Sequence, residues 1–547
     1  MEKKFERIEG QLVDIFNERV IPARVEFSRG GIVSVTEIPN APAQYILPGF
    51  VDAHVHIESS MLTPVEFSRV ALRHGTLAAI SDPHEIANVL GVEGVRFMVE
   101  NGKRTPFRFL FGAPSCVPAT PFDHSGACLD AGALEEVLSM EGVGFLAEMM
   151  NFPGVLSREE EVMAKLALAR RMHLPIDGHA PGLTGPDLKS YVAEGILTDH
   201  ECEDLKEAEE KAGLGMHILI REGSGAKNFD SLLPLLDSFP EQVMFCTDDA
   251  HPDDLLTGHI NQLVRRAILK KYDLFKVLRA ASLNVARHYG LDMGFLRPQD
   301  RADFIVVDSL EEFGIKTCFL DGEVVYSEKG DKVSFVKAEC PNNFLQRDLP
   351  AGSLSVVASE QPVRIIQALD GKLYTKEDRT ILPSIQGLMR TDPERDLLKI
   401  ALVNRYDRSI SPAIGFIRGF GLKRGAIASS IAHDAHNLIS VGVDDESMLR
   451  CFAWLNEQKG GIVIDDGEVR EGLALPIAGL MSPEPAERVA EAYQQLNRRA
   501  KELGSELHAP FMTLAFMALV VIPELKLGDL GLFDVQSFQY TTLFETT

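Results

Sequence analysis

Cysteine pairs, long apolar runs and positive charge are what this chain has little of. Its seven cysteines (116, 128, 202, 246, 318, 340 and 451) are scattered, odd in number and without a CxxC spacing. That excludes a disulfide framework and points to reduced thiols in a cytosol. The most apolar segment, Phe511 to Ile522, is about half the length a bilayer span needs, so a buried helix or strand is expected there. The opening Met1-Glu2-Lys3-Lys4-Phe5-Glu6 has no apolar core of the kind a signal peptide carries, and a soluble, cytoplasmic protein is expected. Lys and Arg number 55 against 80 Asp and Glu, a net charge of -25. So acidic a surface repels phosphate backbones and anionic headgroups, which argues against nucleic acid or membrane as the main partner. No Gly-x-Gly-x-x-Gly follows the first expected strand, which weakens a dinucleotide fold. No internal repeat or low-complexity linker is visible.

What is present is length and alternation. At 547 residues, with 45% hydrophobic and 25% charged positions, the chain predicts a globular protein of two or three domains. Residues 8–46 alternate apolar and polar in short bursts around the Arg29-Gly30-Gly31 turn, as a small antiparallel sheet does. Residues 295–327 share that texture, with Asp321-Gly322 marking a hairpin. Between them, short apolar runs recur at Phe50–His56, Thr76–Ser81, Phe107–Ala113, Val143–Glu148, Leu174–His179, Ile196–His200, Met216–Arg221 and Gln242–Thr247. Helix-like stretches separate them: Pro64–His74, Val92–Asn101, Ser157–Met172 (Ser157 and Glu160 in capping-box spacing), Leu205–Ala212 and Phe229–Asp237, with Val277–Tyr289 after them. Alternation of this kind fits a (β/α)8 TIM-like barrel, although a doubly wound open sheet uses the same pattern. The predicted organisation is an α/β barrel over 49–294, a small β-sandwich domain built from both its flanks (1–48 with 295–335), and a C-terminal α+β domain over 350–547. In that last region Val403, Ile414–Ile417 and Gly461–Asp465 read as strands and Pro485–Leu503 as a charged helix.

Chemistry enters at Leu47-Pro48-Gly49-Phe50-Val51-Asp52-Ala53-His54-Val55-His56. In a strand, residues i and i+2 share a face, so His54 and His56 project together, and paired imidazoles suit zinc, iron or manganese. If the barrel reading holds, active residues sit at the C-terminal ends of strands. Those ends carry His54 and His56, then Asp82 and His84, Glu148, His179, His200 and Asp248. Such a set can hold two divalent ions, with Glu148 bridging them and a water activated as hydroxide. Glu148 ends so apolar a run that its carboxylate needs a partner. Asp249, adjacent and facing the other way, is the alternative to Asp248. His74, His173, His259 and His288 fall on helical stretches and read as packing or surface residues.

The chain closely resembles the adenine deaminases of the amidohydrolase superfamily, nearly from end to end. The resemblance is carried by Pro48-Gly49-Phe50-Val51-Asp52-Ala53-His54-Val55-His56, Ser81-Asp82-Pro83-His84-Glu85, Ala147-Glu148-Met149, Asp177-Gly178-His179, Thr198-Asp199-His200-Glu201, Arg221-Glu222-Gly223-Ser224, Cys246-Thr247-Asp248-Asp249 and Ser429-Ser430-Ile431-Ala432-His433-Asp434-Ala435-His436. It implies hydrolysis of adenine to hypoxanthine and ammonia in purine salvage, with two Mn2+ or Fe2+ ions, Zn2+ being a further choice. It also distinguishes this chain, with Glu148, from relatives that bridge their metals by a carboxylated lysine. Asp248 is the expected proton acceptor, Glu201 or Glu85 the expected donor to the ring nitrogen, and Asp82, His84, Arg221 and Ser224 the expected substrate contacts. His433, Asp434 and His436 close over the barrel mouth or stabilise a domain interface, with the two histidines co-facial only in a helix. The expected partner is a small purine base, with a homodimer or higher homo-oligomer as assembly. Competing readings are a cyclic-amide or N-acyl hydrolase on the same barrel, or a non-catalytic scaffold.

Overall fold

In the computed structural model residues 5–545 are described, so Met1–Lys4, which open the segment used for the signal-peptide reading, lie outside the described residues. Two compact units emerge. Of the described residues, the first comprises 5–83, 96–115 and 130–336; the second comprises 84–95, 116–129 and 337–545.

In the first unit, β1 (Glu6–Asp14), β2 (Arg19–Ser28) and β3 (Gly31–Glu37) form antiparallel ladders, with Leu12 opposite Ile21 and Val25 opposite Val35. The turn at Gly31 needs glycine: its φ is +115°, and a Cβ there would meet the Asp300 carbonyl oxygen at 2.4 Å. The short β4 (Tyr45–Leu47) then lies parallel to β1 and antiparallel to a strand from the far flank. One eight-stranded sheet thereby joins both flanks, and Phe27, Phe304 and Phe319 meet in its core with ring centroids 4.5–5.3 Å apart.

Between the flanks runs the parallel series β5 (Phe50–Val55), β6 (Thr76–Ser81), β7 (Arg108–Ala113), β8 (Val143–Met149), β9 (Ile176–Gly178), β10 (Thr198–Asp199), β11 (His217–Arg221) and β12 (Val243–Cys246). Every residue of β5 and β6 is buried, because strands covered on both faces are near-continuously apolar. The strands form a five-stranded sheet, β5 to β9, and a three-stranded one, β10 to β12. Leu197 N donates to Ile176 O (3.2 Å) between the two sheets. At the other end Asp248 N donates to His54 O (2.9 Å) and His56 N to Asp248 O (3.1 Å), so the last strand returns to the first.

Local readings differ in three places. Ser157 does not cap a helix: it closes Phe152–Ser157, its hydroxyl donates back to Pro153 O (2.9 Å), and the next helix starts at Glu160 after Arg158 takes a left-handed turn. The stretch 277–289 is two helices, Leu274–Ala280 and Leu283–Tyr289, and 229–237 is likewise two short ones. Tertiary packing overrides a continuous periodic pattern at these breaks.

The second unit is built on an eight-stranded sheet in the order Lys376–Thr380, Val363–Gln367, Ala413–Arg418, Leu398–Val403, Leu438–Gly442, Ala426–Ser429, Gly461–Asp465, Arg470–Ala474. Helix Asp445–Gln458 starts where Asp444 accepts from Ser447 N (2.7 Å). It lays Met448, Cys451, Phe452 and Leu455 on that sheet. Residues 510–518 are helical, and among the described residues no helix is long and apolar enough to cross a membrane.

Candidate metal centre and its surroundings

The strand ends of the first unit bring six expected side chains together. His54 Nε2 and His56 Nε2 lie 3.2 Å apart, and Asp248 Oδ1 is 3.6 Å from the first and 3.2 Å from the second. Glu148 sits at the centre: Oε1 is 3.5 Å from His56 Nε2, and Oε2 is 2.7 Å from His179 Nδ1 and 3.3 Å from His200 Nε2. The His54 and His200 rings stack at 4.2 Å. Donor groups such as His54–His56–Asp248, His54–Glu148–His200 and His179–His200–Glu201 each gather within 4.8 Å.

Several of these spacings are those of ligands sharing an ion, since bonds of about 2.1 Å put neighbouring donors roughly 3.0–3.4 Å apart. Two imidazole Nε2 atoms facing at 3.2 Å can share one proton as a hydrogen bond, or, both deprotonated there, one cation. His56 is oriented for this: its Nδ1–H donates to the Asp82 carbonyl (3.0 Å), leaving Nε2 for a metal. The donor set, imidazole and carboxylate without thiolate, fits divalent manganese, iron or zinc.

Electrostatics of the cluster follow from burial and pairing. Burial alone would push the Glu148 carboxyl up, yet His179 and His200 hold it well below the usual carboxylate range. Asp248 is also held well below it despite burial, by His56 and Arg221. Burial drives His54 well below the ordinary imidazole value, helped by His200 and His56. Burial lowers His200, but Glu148, Asp248 and Glu201 together outweigh it and raise the imidazole to about 9.

The remaining expected residues divide. Arg221 is not left free for a substrate: Nη1 binds Glu201 and also donates to Asp248 Oδ2 (2.8 Å), while Nη2 donates to Glu201 Oε2 (3.1 Å). Ser224 is likewise engaged, donating to Asp254 (2.6 Å) and accepting from His251 N (2.9 Å) as the chain enters helix Pro252–Thr257. Asp249 points away and accepts from Ser59 Oγ (2.5 Å). His84 and Glu85 open helix His84–Leu90 of the second unit. There Glu85 Oε1 contacts His433 Nδ1 (2.7 Å) and Oε2 contacts His436 Nε2, and burial lowers His436 to about 4. His433 and His436 face one carboxylate without a helix; they lie on a turn in which His436 has φ +53°.

Asp52 and His259 were not expected to matter, and both are fully buried. Asp52 accepts from Thr247 N (3.0 Å) and Thr247 Oγ1 (2.5 Å) and contacts His259 Nε2 (3.0 Å). The available signal was a carboxylate inside an apolar strand, on the face of His54 and His56, which burial obliges to find partners.

Residues 45–325 match the profile of the amidohydrolase family, and residues 372–539 that of the adenine deaminase C-terminal domain. A curated adenine deaminase of Salinibacter ruber is 48% identical over 538 residues, covering 98% of both chains. One from Methanosarcina mazei is 49% identical over 550 residues, covering 98% of this chain and 99% of its own. One from Borreliella afzelii is 41% identical over 539 residues, covering 97% and 98%.

Proposed function

Because the chain belongs to the adenine deaminase family of amidohydrolases, we propose that it hydrolyses adenine to hypoxanthine and ammonia in cytoplasmic purine salvage. The observation that carries the reading is identity at 48% along 98% of a curated adenine deaminase, in a chain that gathers His54, His56, Glu148, His179, His200 and Asp248 at successive strand ends. We read β5 to β12 as a (β/α)8 barrel, supported by the parallel order and the backbone bonds of Asp248 with His54 and His56. The flanks form a small β domain (1–48 with 295–335), the barrel covers 49–294 and the C-terminal α+β domain 350–547; segments 84–95 and 116–129 cluster with the second unit.

Those six residues would hold divalent metal, Mn2+ or Fe2+, in a set of imidazole and carboxylate donors. When bound, the ions supply Lewis acidity and lower the pKa of a coordinated water. Replacing the amino group at C6 needs a nucleophilic water, a proton on the ring nitrogen and a proton on the departing amine. The water supplies both protons: Asp248, an anion by virtue of His56 and Arg221, takes the first as the water attacks C6 and delivers it to the ring nitrogen, then takes the second from the oxygen now bonded to C6 and passes it to the amine as the C6–N bond breaks. Glu201 holds both guanidinium ends of Arg221 and so fixes the group that fixes Asp248. Burial of this set keeps bulk water from screening its charges.

The test is turnover of purified protein stripped with a chelator and reloaded with Mn2+ or Fe2+. Adenine should disappear spectrally with equimolar ammonia, while dihydropyrimidines and N-acyl amino acids stay intact. Ring opening or deacylation without ammonia release from adenine would overturn the assignment, as would adenine turnover by protein shown to be metal-free.

A further inference from the structure

We propose that Asp52 and His259 are positioning residues that set the spacing of the metal ligands on the first and last strands of the parallel series. This rests on the metal-centre reading above. Asp52 acts through the backbone of His54 and Thr247, and His259 acts through Asp52.

Asp52, His54 and His56 occupy one face of β5, and Asp52 stands one strand repeat, about 6.6 Å, deeper than His54. From there its Oδ1 accepts from Thr247 N at 3.0 Å and from its own strand at His54 N, 3.4 Å, and its Oδ2 accepts from Thr247 Oγ1 at 2.5 Å. One carboxylate therefore grips the amide of His54, a ligand, and the residue immediately before Asp248, another ligand.

Asp248 needs that grip. Its φ is +56°, a left-handed conformation that costs a residue with a Cβ and persists only where the surroundings over-determine it. Three anchors do so: Asp248 N to His54 O, His56 N to Asp248 O, and the double hold of Asp52 on Thr247. Releasing the last would let Asp248 relax and move its carboxylate away from the two Nε2 atoms.

His259 supplies the second half of the device. Its Nε2 lies 3.0 Å from Asp52 Oδ2, a close charge contact not aligned as a hydrogen bond, its Nδ1 meets Thr76 Oγ1 at 2.7 Å, and its ring lies edge-on to Phe67 at 5.6 Å. It stands at the start of helix Ile260–Leu269, while Thr76 begins β6. The chain of contacts thus ties β6, a helix start, β5 and β12 into one dry network. Outer partners of this kind change metal affinity by about 10–100-fold when removed.

The experiment compares Asp52→Asn, His259→Gln and Thr76→Val with the parent. Three readouts are taken: metal affinity by competition with a chromogenic chelator, kcat and KM for adenine with metal in excess, and the urea unfolding midpoint. Asp52→Asn should weaken metal binding by about 10–100-fold and lower kcat, with KM within threefold. His259→Gln, which keeps one donor and a similar reach, should fall between it and the parent, and Thr76→Val should be milder still. If Asp52→Asn does not fold, the graded loss at His259→Gln and Thr76→Val carries the test alone. Parent-like metal affinity in the folded variants overturns the proposal, and so does a loss of affinity that merely follows the unfolding midpoint. Metal affinity is read without any substrate, so a failed adenine assay with an intact affinity series would fault the functional reading instead.

Discussion

Replacing Arg221 by methionine keeps the length and apolar stem of the side chain and removes its charge. In the parent the guanidinium is buried and shared between Glu201 and Asp248, the latter at 2.8 Å. Removing one partner of a buried ion pair typically costs about 3–5 kcal/mol, because the other charge stays buried and uncompensated. Here two carboxylates are left, and Asp248 also loses a principal support of its anionic state. If about 3 kcal/mol of that penalty is relieved by Asp248 holding a proton at rest, only about one enzyme in 10² keeps the carboxylate free to accept the proton of the water, and kcat falls about 10²-fold, at 1.36 kcal/mol per decade. The assay is steady-state deamination at saturating Mn2+, with metal content measured on the same samples and fold checked by circular dichroism. Arg221→Lys should recover only part of the rate, since an ammonium cannot serve two carboxylates with a planar fork. A folded Arg221→Met enzyme with kcat within threefold of the parent would refute the reasoning and return Arg221 to a minor role.

Glu148→Gln changes charge at nearly constant size; one metal per chain should be lost on elemental analysis and kcat should fall by at least about 10²-fold. Glu201→Gln should lower metal content along with kcat, because Arg221 loses its two-point partner; metal analysis beside kinetics reads this, and unchanged metal content would contradict it. Asp123 in the second unit is pushed up to about 7 by burial, with Asp434 and Asp529 adding to it. Its stabilising contribution is thus complete below about pH 3.8 and is lost as pH rises through 7. Residual solvent contact screens the effect, so Asp123→Asn should gain about 1–2 kcal/mol on the parent between pH 5 and pH 8, read from denaturant midpoints; an equal gain at both pH values would contradict this.

Much of the candidate site was legible because the side chains that gather there end apolar runs. His54, His56, Glu148 and His200 each close or follow a buried strand, so position and chemistry could be read from one pattern. Arg221 and Ser224 show the limit of that reading. Their place after a strand was visible, but the carboxylates that occupy them lie 20, 27 and 30 residues away along the chain. No local period reveals such pairs. His259 was set aside as a helical residue for the same reason: its partner Asp52 is about two hundred residues distant in sequence. In the second unit the pair His433 and His436 looked meaningful only as a helix face. A turn with one left-handed residue achieves the same convergence on Glu85, and single-residue backbone choices of that kind leave little trace in composition.

The backbone bonds between Asp248 and His54–His56 carry a consequence for how the protein is made. Their residues are separated by almost two hundred positions, so the candidate metal centre has no local precursor and cannot assemble on a chain that ends before Asp248. Joining such distant segments comes late, because loop closure must be paid before the contact gives any return. A metal that binds only the joined state then shifts the balance toward it by mass action. Metal supply during folding would therefore shift how much of the protein holds this seam closed.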